Sequence, residues 1–329
     1  MAALVIAGLL GLAAAALAAA YWYSLGVPGE SYAGPAVPVT TEERELAMRL
    51  RGHVEAIASE PHNTAHYPAL ERSAAYIEGA LSSLGYRPAS QTWEVGGKAV
   101  RNISVTLDPP NAGPHTPSIV IGAHYDSYGN APGANDNGSG SAAVIELARL
   151  LKDAPLTDTR LRLVLFVNEE PPYDRTPDMG SYRYAKSLKD AGEKLVGMIS
   201  LETIGSFSDT PGSQRYPFPF NHVFPDVGNF VAFVALPGGR TFLHDVIGSF
   251  RRNTPFPIGG TAPDSIPGIG WSDHWAFFKL GYPAIMVTDT APFRYPHYHT
   301  PQDTPDRIDY DKLARITLGI AETTRDLLH

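Results

Sequence analysis

The sequence contains no cysteine. Disulfides, thiolate zinc fingers, cysteine nucleophiles and lipid attachment through an N-terminal cysteine are therefore excluded. Any metal this chain binds must be held by nitrogen and oxygen. It also lacks a block of basic residues: 26 Lys and Arg against 34 Asp and Glu leave a net charge of -8, and the positive residues are scattered. That balance offers no electrostatic footprint for nucleic acid. No internal repeat and no second regime of composition interrupts the body of the chain. With 329 residues, 43% of them apolar, there is material for a substantial core, which excludes a disordered chain as well.

Charge is missing altogether from the N-terminus, where the first charged side chain is Glu30 and the first basic one Arg44. Residues 1–23 are almost all Ala, Leu, Val and Gly and close on the aromatic trio Tyr21, Trp22 and Tyr23. A helix of roughly 20 such residues spans a bilayer, and the aromatics suit its interface. The other reading is a cleaved signal peptide ending at Ala18-x-Ala20, although such peptides usually open on Lys or Arg and this one has neither. Residues 1–24 are expected to form a transmembrane anchor or a signal sequence. Because no positive charge holds the downstream side in the cytoplasm, the body is expected to be extracytoplasmic (periplasmic or extracellular), or secreted if the segment is cleaved. Residues 25–39, rich in Pro and Gly, read as a linker. Residues 40–329 read as one folded unit.

That unit opens on a capping box, Thr40 and Glu43, followed by Leu46, Leu50, Val54 and Ile57 on one helical face. A second helix carries Leu70, Ile77, Leu81 and Leu84 and stops at Gly85. Two alternating runs around Gly96-Gly97 predict a hairpin. Beyond it the texture changes to short β-rich runs, "SIVIGAH", "RLRLVLFVN", "KLVGMISLETI", "NFVAFVAL" and "PAIMVT", several apolar at consecutive positions as strands covered on both faces are. Helical segments are expected over 140–151, 181–191, 241–253, 272–279 and 310–328. The alternation predicts a three-layer α/β/α sandwich with a mostly parallel, mixed central sheet and helices on both faces. Residues 205–228, dense in Pro and aromatics including Tyr216, Phe218, Phe220 and Phe224, fit neither period and are expected to wall a binding cleft.

Ligands of such sheets sit beyond the carboxyl ends of the strands, and chemistry-bearing residues gather there. The first run ends on His124 and Asp126, and its following loop "GNAPGANDNGSGS" carries Asp136. The second ends on the adjacent pair Glu169 and Glu170, the third on Glu202, and His297 and His299 follow the last. Any one of them alone is as well explained by a core hydrogen bond, a helix cap or a solvated strand end. Together, buried carboxylates without counterions would cost several kcal/mol of repulsion and desolvation, on the order that divalent cations remove. Two His and three carboxylates are donors suited to two Zn²⁺ with one carboxylate bridging. One glutamate of the adjacent pair can then hold metal while the other moves a proton.

The motifs "GAHYDS", "PGANDNGSGSAAVIELAR", "FVNEE", "LETIG", "SDHWAFFKLGYPAIMVTDT" and "YHTPQDTPDRIDY" resemble metallopeptidase family 28, the co-catalytic zinc aminopeptidases, across most of residues 40–329. The resemblance implies one zinc held by His124 and Glu202, a second by Glu170 and His299, Asp136 bridging, and Glu169 as general base. It implies that Asp126 orients His124 and that Tyr298 faces the substrate carbonyl, a position equally open to simple packing at the cleft rim. Asp273 and Asp303 are candidates for supporting the ligands, with helix-cap or turn roles as the alternative. Two features depart from the family pattern or blur it: Glu202 occupies a position that is often Asp, and His297 lies close enough to be mistaken for His299. The expected substrates are peptides. Which end of the peptide is anchored stays open, as does a glutaminyl cyclase of the same fold with one zinc, or a receptor-like ectodomain without catalysis.

Overall fold

The computed structural model describes residues 1–218, 220–222, 224–260 and 266–328. An N-terminal helix α1 (Ala2–Leu25) precedes α2 (Thr41–Ile57) and α3 (Tyr67–Ser83), then the strands β1 (Ala89–Val95) and β2 (Lys98–Leu107). There follow β3 (Ser118–His124), α4 (Gly140–Leu150), β4 (Arg160–Phe166), α5 (Gly180–Asp190), β5 (Leu195–Glu202) and β6 (Val231–Ala235). The chain closes with α6 (Arg240–Asn253), β7 (Ile258–Gly260), α7 (His274–Lys279), β8 (Ala284–Thr288), α8 (Ala291–Arg294) and α9 (Tyr310–Leu327). Local chemistry sets the boundaries. Thr40 Oγ1 accepts the Glu43 N–H at 3.1 Å while Glu43 Oε2 accepts the Thr40 N–H at 2.7 Å, so the predicted capping box starts α2. Gly96 and Gly97, with φ of +55° and +73°, make the two-residue turn that joins β1 to β2 in the register Val95 opposite Lys98, a backbone that favours glycine.

Strand order across the sheet is β1-β2-β4-β3-β5-β8-β6-β7. The central run β4-β3-β5-β8 is parallel. The hairpin joins β4 antiparallel, β6 runs antiparallel to β8, and the short edge strand β7, unread in the sequence, pairs parallel with β6. Side chains alternate across each strand. Ile119, Ile121, Leu163, Leu165, Ile199, Leu201 and Val287 join the core beneath α2, α4, α6 and α9, whereas Val120, Val164, Phe166, Met198 and Ala284 face α5 and α7. The three-layer α/β/α arrangement expected from the alternation of runs is present. On the second face the helical layer gives out over β6: Ala232, Val234 and Met286 pack instead against Phe230, Ile266 and Ile269 from loops.

The N-terminal region is expected to be an anchor or signal sequence followed by a linker. Residues 2–25 are helical, and among the described residues no helix is long and apolar enough to cross a membrane. Part of the expected transmembrane anchor falls on residues 2–4 and 20–24, whose side chains lie outside the described set. The linker is not a free spacer. The Gly26 carbonyl accepts from Arg240 Nη2 at 3.0 Å and lies 3.1 Å from His244 Nε2, and Arg251 Nη1 donates to the carbonyls of Pro28 and Gly29, each at 2.6 Å. Ser31 Oγ accepts the edge N–H of Ile258 at 2.8 Å, and Arg315 reaches the Pro38 carbonyl at 3.2 Å. An irregular Pro/Gly stretch forms no ladder to pair its own carbonyls, and guanidinium forks pair them instead. Each such hydrogen bond adds a net ~0.5–1.5 kcal/mol, so a chain starting at Thr40 should melt several degrees below one starting at Gly26. Differential scanning fluorimetry of the two truncations measures this, and coincident melting curves would show that the strap contributes nothing.

Candidate metal centre

Parallel pairing places Phe166, His124, Glu202 and Thr288 in one row at the carboxyl edge of β4, β3, β5 and β8. Glu169 and Glu170 extend from β4, Asp136 descends from the loop between β3 and α4, and His299 arrives from the segment after α8. His124, Asp136 and Glu170 present ligand atoms all within 4.8 Å of one another. Asp136 divides the cluster in two. Its Oδ1 lies 3.4 Å from His124 Nε2, which is also 3.2 Å from Glu202 Oε2. Its Oδ2 lies 3.0 Å from His299 Nε2, which is also 3.5 Å from Glu170 Oε1. Glu169 belongs to neither half in this way; its Oε2 is 3.9 Å from His124 Nε2. His297 packs its ring edge-on to Tyr295, centroids 5.4 Å apart, and takes no part.

The supporting residues differ in detail from the expected pattern. Asp126 orients His124 through its backbone carbonyl, 3.0 Å from Nδ1, while its carboxylate accepts the N–H groups of Glu169 and Glu170 at 3.1 and 3.3 Å. One residue thereby sets the first imidazole and the glutamate pair together. Asp303 takes the N–H groups of Asn135 and Asp136 at 2.8 and 3.1 Å and the hydroxyl of Tyr295 at 2.9 Å, which pins the Asp136 loop. Asp273 is fully buried at the start of α7 without capping it, with the Ser181 hydroxyl as its hydrogen-bonding neighbour. Burial pushes its carboxyl up to about 7. Sequence reasoning missed three further side chains. Asn137 Nδ2 binds the Leu201 carbonyl at 2.8 Å and approaches Glu202 Oε2 at 3.3 Å, Ser272 Oγ donates to Glu202 Oε2 at 2.7 Å, and Tyr128 stacks on His299. The asparagines flanking Asp136 were legible as amides in a Gly-rich turn; Ser272 and Tyr128 carry no local signal.

Electrostatically the cluster is short of positive charge. Burial raises the carboxyls of Glu169 and Glu202 above their ordinary range, and burial with the Asp136 charge pushes Glu170 up to about 8. Burial lowers His299, but Asp136 and Glu170 outweigh it and push the imidazole up to about 10. Asp136 Oδ2 and Glu170 Oε1 are buried without any hydrogen bond, although His299 Nε2 is 3.0 and 3.5 Å away. Ligand atoms of Asp136, Glu170 and His124 lie within 4.8 Å of one another around the space between them. Two imidazole nitrogens and carboxylate oxygens aimed in this way fit zinc.

Against Glu202 and Tyr298 lies an apolar cavity of about 80 Å³, walled by Tyr216 and Phe224 of the expected cleft loop and floored by Ala232 and Met286 of the sheet. Phe218 of the same loop is 82% exposed and does not line it. The cavity sits where the second helical layer stops.

The sequence model of peptidase family M28 matches residues 102–324, a span that holds every residue of the cluster. The chain belongs to peptidase family M28. This M28 chain is 37% identical to the Escherichia coli protein YfbL over 87% of its own length and 88% of that protein's. It is 28% identical to a probable leucine aminopeptidase of Arthroderma otae over 61% of its length, spanning 52% of that relative. Among solved structures it resembles an aminopeptidase from Aneurinibacillus sp. strain AM-1 with a TM-score of 0.64 at 20% identity, covering 86% of this chain and 95% of that one. It also resembles a Fimbriiglobus ruber glutaminyl cyclase with a TM-score of 0.63 at 18% identity, covering 91% and 98%. At those identities the likeness is one of fold.

The raised groups give a signed pH dependence. Folded Glu170 holds its proton from its ordinary 4.5 up to about 8, and folded His299 from 6.5 up to about 10. The folded state therefore binds more protons than the unfolded one across this range, and the stability of chelator-stripped protein falls as pH rises through it. Zinc displaces those protons. The rise in melting temperature on adding zinc should accordingly be larger at pH 8 than at pH 6; a shift that does not vary with pH would contradict this account of the cluster.

Proposed function

We propose that this chain is a zinc-dependent aminopeptidase that holds two Zn²⁺ and removes N-terminal residues with apolar side chains from peptides. The observation that carries the reading is the division of the cluster by Asp136, with one oxygen toward His124 and Glu202 and the other toward His299 and Glu170. His124 and Glu202 would hold one ion, His299 and Glu170 the other, with Asp136 between them. When bound, such ions lower the pKa of water toward roughly 7 and polarise a carbonyl.

The chain's own residues do the rest. Glu169 stands beside the cluster with its oxygen left over, and burial raises its proton affinity. It takes the proton of the attacking water and returns it to the departing amine. Tyr298, between the cluster and the cavity, directs its hydroxyl at the scissile carbonyl oxygen. The cavity receives the side chain of the first residue and excludes water from it. A one-zinc cyclase would leave one half of the cluster without purpose, and a receptor-like ectodomain would have no reason to keep both halves, so each is the weaker reading. For location, we propose attachment to a membrane through α1, whose Val5, Leu9, Leu12 and Leu17 are 59–72% exposed and whose first and last turns carry no acid or base; the extracytoplasmic side for the body rests on the absence of any basic residue before Arg44.

Glu169→Gln should lower turnover of leucine p-nitroanilide by about 10²–10⁴-fold with zinc content unchanged by elemental analysis. An active variant removes Glu169 from the base role, and parent turnover of only N-acetylated or C-terminal reporter peptides overturns the aminopeptidase assignment. Specificity has its own test. A Cβ built on Gly259 would lie 2.3 Å from the Phe230 ring, so Gly259→Ala drives that ring into the cavity. KM for leucyl substrates should rise about 10-fold while alanyl substrates are spared. Equal effects on both would show that the cavity does not read the side chain.

A further inference from the structure

The two imidazoles of the cluster are held by different means. His124 is 1% exposed and has a backbone carbonyl 3.0 Å from its Nδ1, the usual way a metal-binding imidazole is oriented. His299 has neither advantage. Its side chain is 27% exposed, against 4–8% for the carboxylates around it, and its backbone sits at φ +58°, a region that side chains other than glycine occupy at a cost. Among the described residues no hydrogen-bonding group reaches its Nδ1.

Aromatic rings take the place of that hydrogen bond. Tyr128 stacks on His299 with centroids 3.8 Å apart and planes 5° from parallel, and Tyr298 stacks on it at 3.8 Å and 19°. Two rings that close to a third and nearly parallel to it cannot share one face without colliding, so they cover opposite faces. Tyr298 is the neighbour of His299 in the chain and moves with it. Tyr128 comes from the β3 loop, and its backbone is fixed from outside the centre: Asn63 Nδ2 donates to the carbonyls of Ser127 and Gly129, the residues on either side of it, at 2.8 and 2.7 Å. Asn63 is fixed in turn, its Oδ1 accepting the N–H groups of Ala65 and His66 at 3.0 and 3.2 Å.

We propose that Tyr128 is a positioning residue that sets the plane of the His299 imidazole for the second zinc, with Asn63 holding Tyr128 in place. Stacking confines the tilt of a ring but leaves rotation within its plane to the metal and to Asp136 and Glu170. The His299–Glu170 half is then the half whose affinity depends on aromatic contact, while the His124–Glu202 half does not. The phenolic oxygen has no part in this, so the ring alone suffices. The inference rests on the two-zinc reading above, and its test reads metal affinity directly.

The full chain, stripped by chelator, is titrated with zinc in competition with a chromogenic chelator, and with Co²⁺ followed by visible absorption, for the parent, Tyr128→Phe, Tyr128→Ala and Asn63→Ala. The parent is expected to bind two ions, and Tyr128→Phe to match it. Tyr128→Ala should keep the first affinity and lose about 10–100-fold in the second, with Asn63→Ala changed in the same direction and the second Co²⁺ spectrum altered. Tyr128 is 36% exposed, so its truncation leaves the core intact, and an unchanged first affinity verifies the fold. If Tyr128→Ala binds both ions as the parent does, or weakens both equally, the positioning role is overturned while the two-zinc reading stands. A parent that binds a single ion overturns both.

Discussion

Carboxylates buried within a few ångströms of each other are the constraint on which the rest of this structure depends. Asp136, Glu169, Glu170 and Glu202 lie at one strand edge, all at least nine-tenths buried. Removing such charges from water costs several kcal/mol each, on the order of a domain's whole stability margin when summed. Without cations the chain meets that cost with protons, on Glu169, Glu170 and Glu202, and with the charge of two imidazoles. Divalent cations meet it better, because each brings two positive charges to the carboxylates that face it. The orphaned oxygens of Asp136 and Glu170 mark the same space from the side of hydrogen bonding.

Holding like charges together demands a stiff frame, and the frame is the parallel centre of the sheet. Register brings His124 and Glu202 level, and side chains from distant loops close around them: Asp126 on the glutamate pair, Asp303 on the Asp136 loop, Asn137 and Ser272 on Glu202. The same sheet produces the cavity by omission. Its second face is covered by α5 and α7 over the central strands and by loops over β6, so an apolar space remains beside the metal centre where a helix would otherwise pack. The strap of residues 26–31 is bonded to α6 and, through Ser31, to the edge strand β7 whose Gly259 lines that cavity. A segment composed like a spacer is thus part of the wall's support.

Legibility followed the range of the interactions involved. Thr40 with Glu43, Gly96 with Gly97, and the apolar runs of β3, β4, β5, β6 and β8 were readable because caps, two-residue turns and buried strands are decided by near neighbours. The edge strand β7, three residues long, was not, since so short a run has no period of its own and is held by β6 and Ser31. The contacts of residues 26–31 were not legible for a related reason: Pro and Gly announce the absence of regular structure and say nothing about partners. Among the polar residues, those ending apolar runs stood out, and Ser272, Asn63 and Tyr128 did not, because these partners are 64 to 171 positions away in the chain.

Residue chemistry by itself determined that any metal here is held by imidazole and carboxylate, that the body is a layered α/β unit, and which strand ends carry the donors. It did so because donor type is a property of single residues and strand termini are marked by the end of apolar runs. Only the tertiary structure decided that Asp136 faces two ways, that Asp126 holds His124 through its backbone while its carboxylate holds Glu169 and Glu170, and that His299 is clamped by rings where His124 is hydrogen-bonded. Those facts depend on the direction of side chains brought together from separate strands, and direction comes from sheet register and loop packing, to which no short stretch of sequence is answerable.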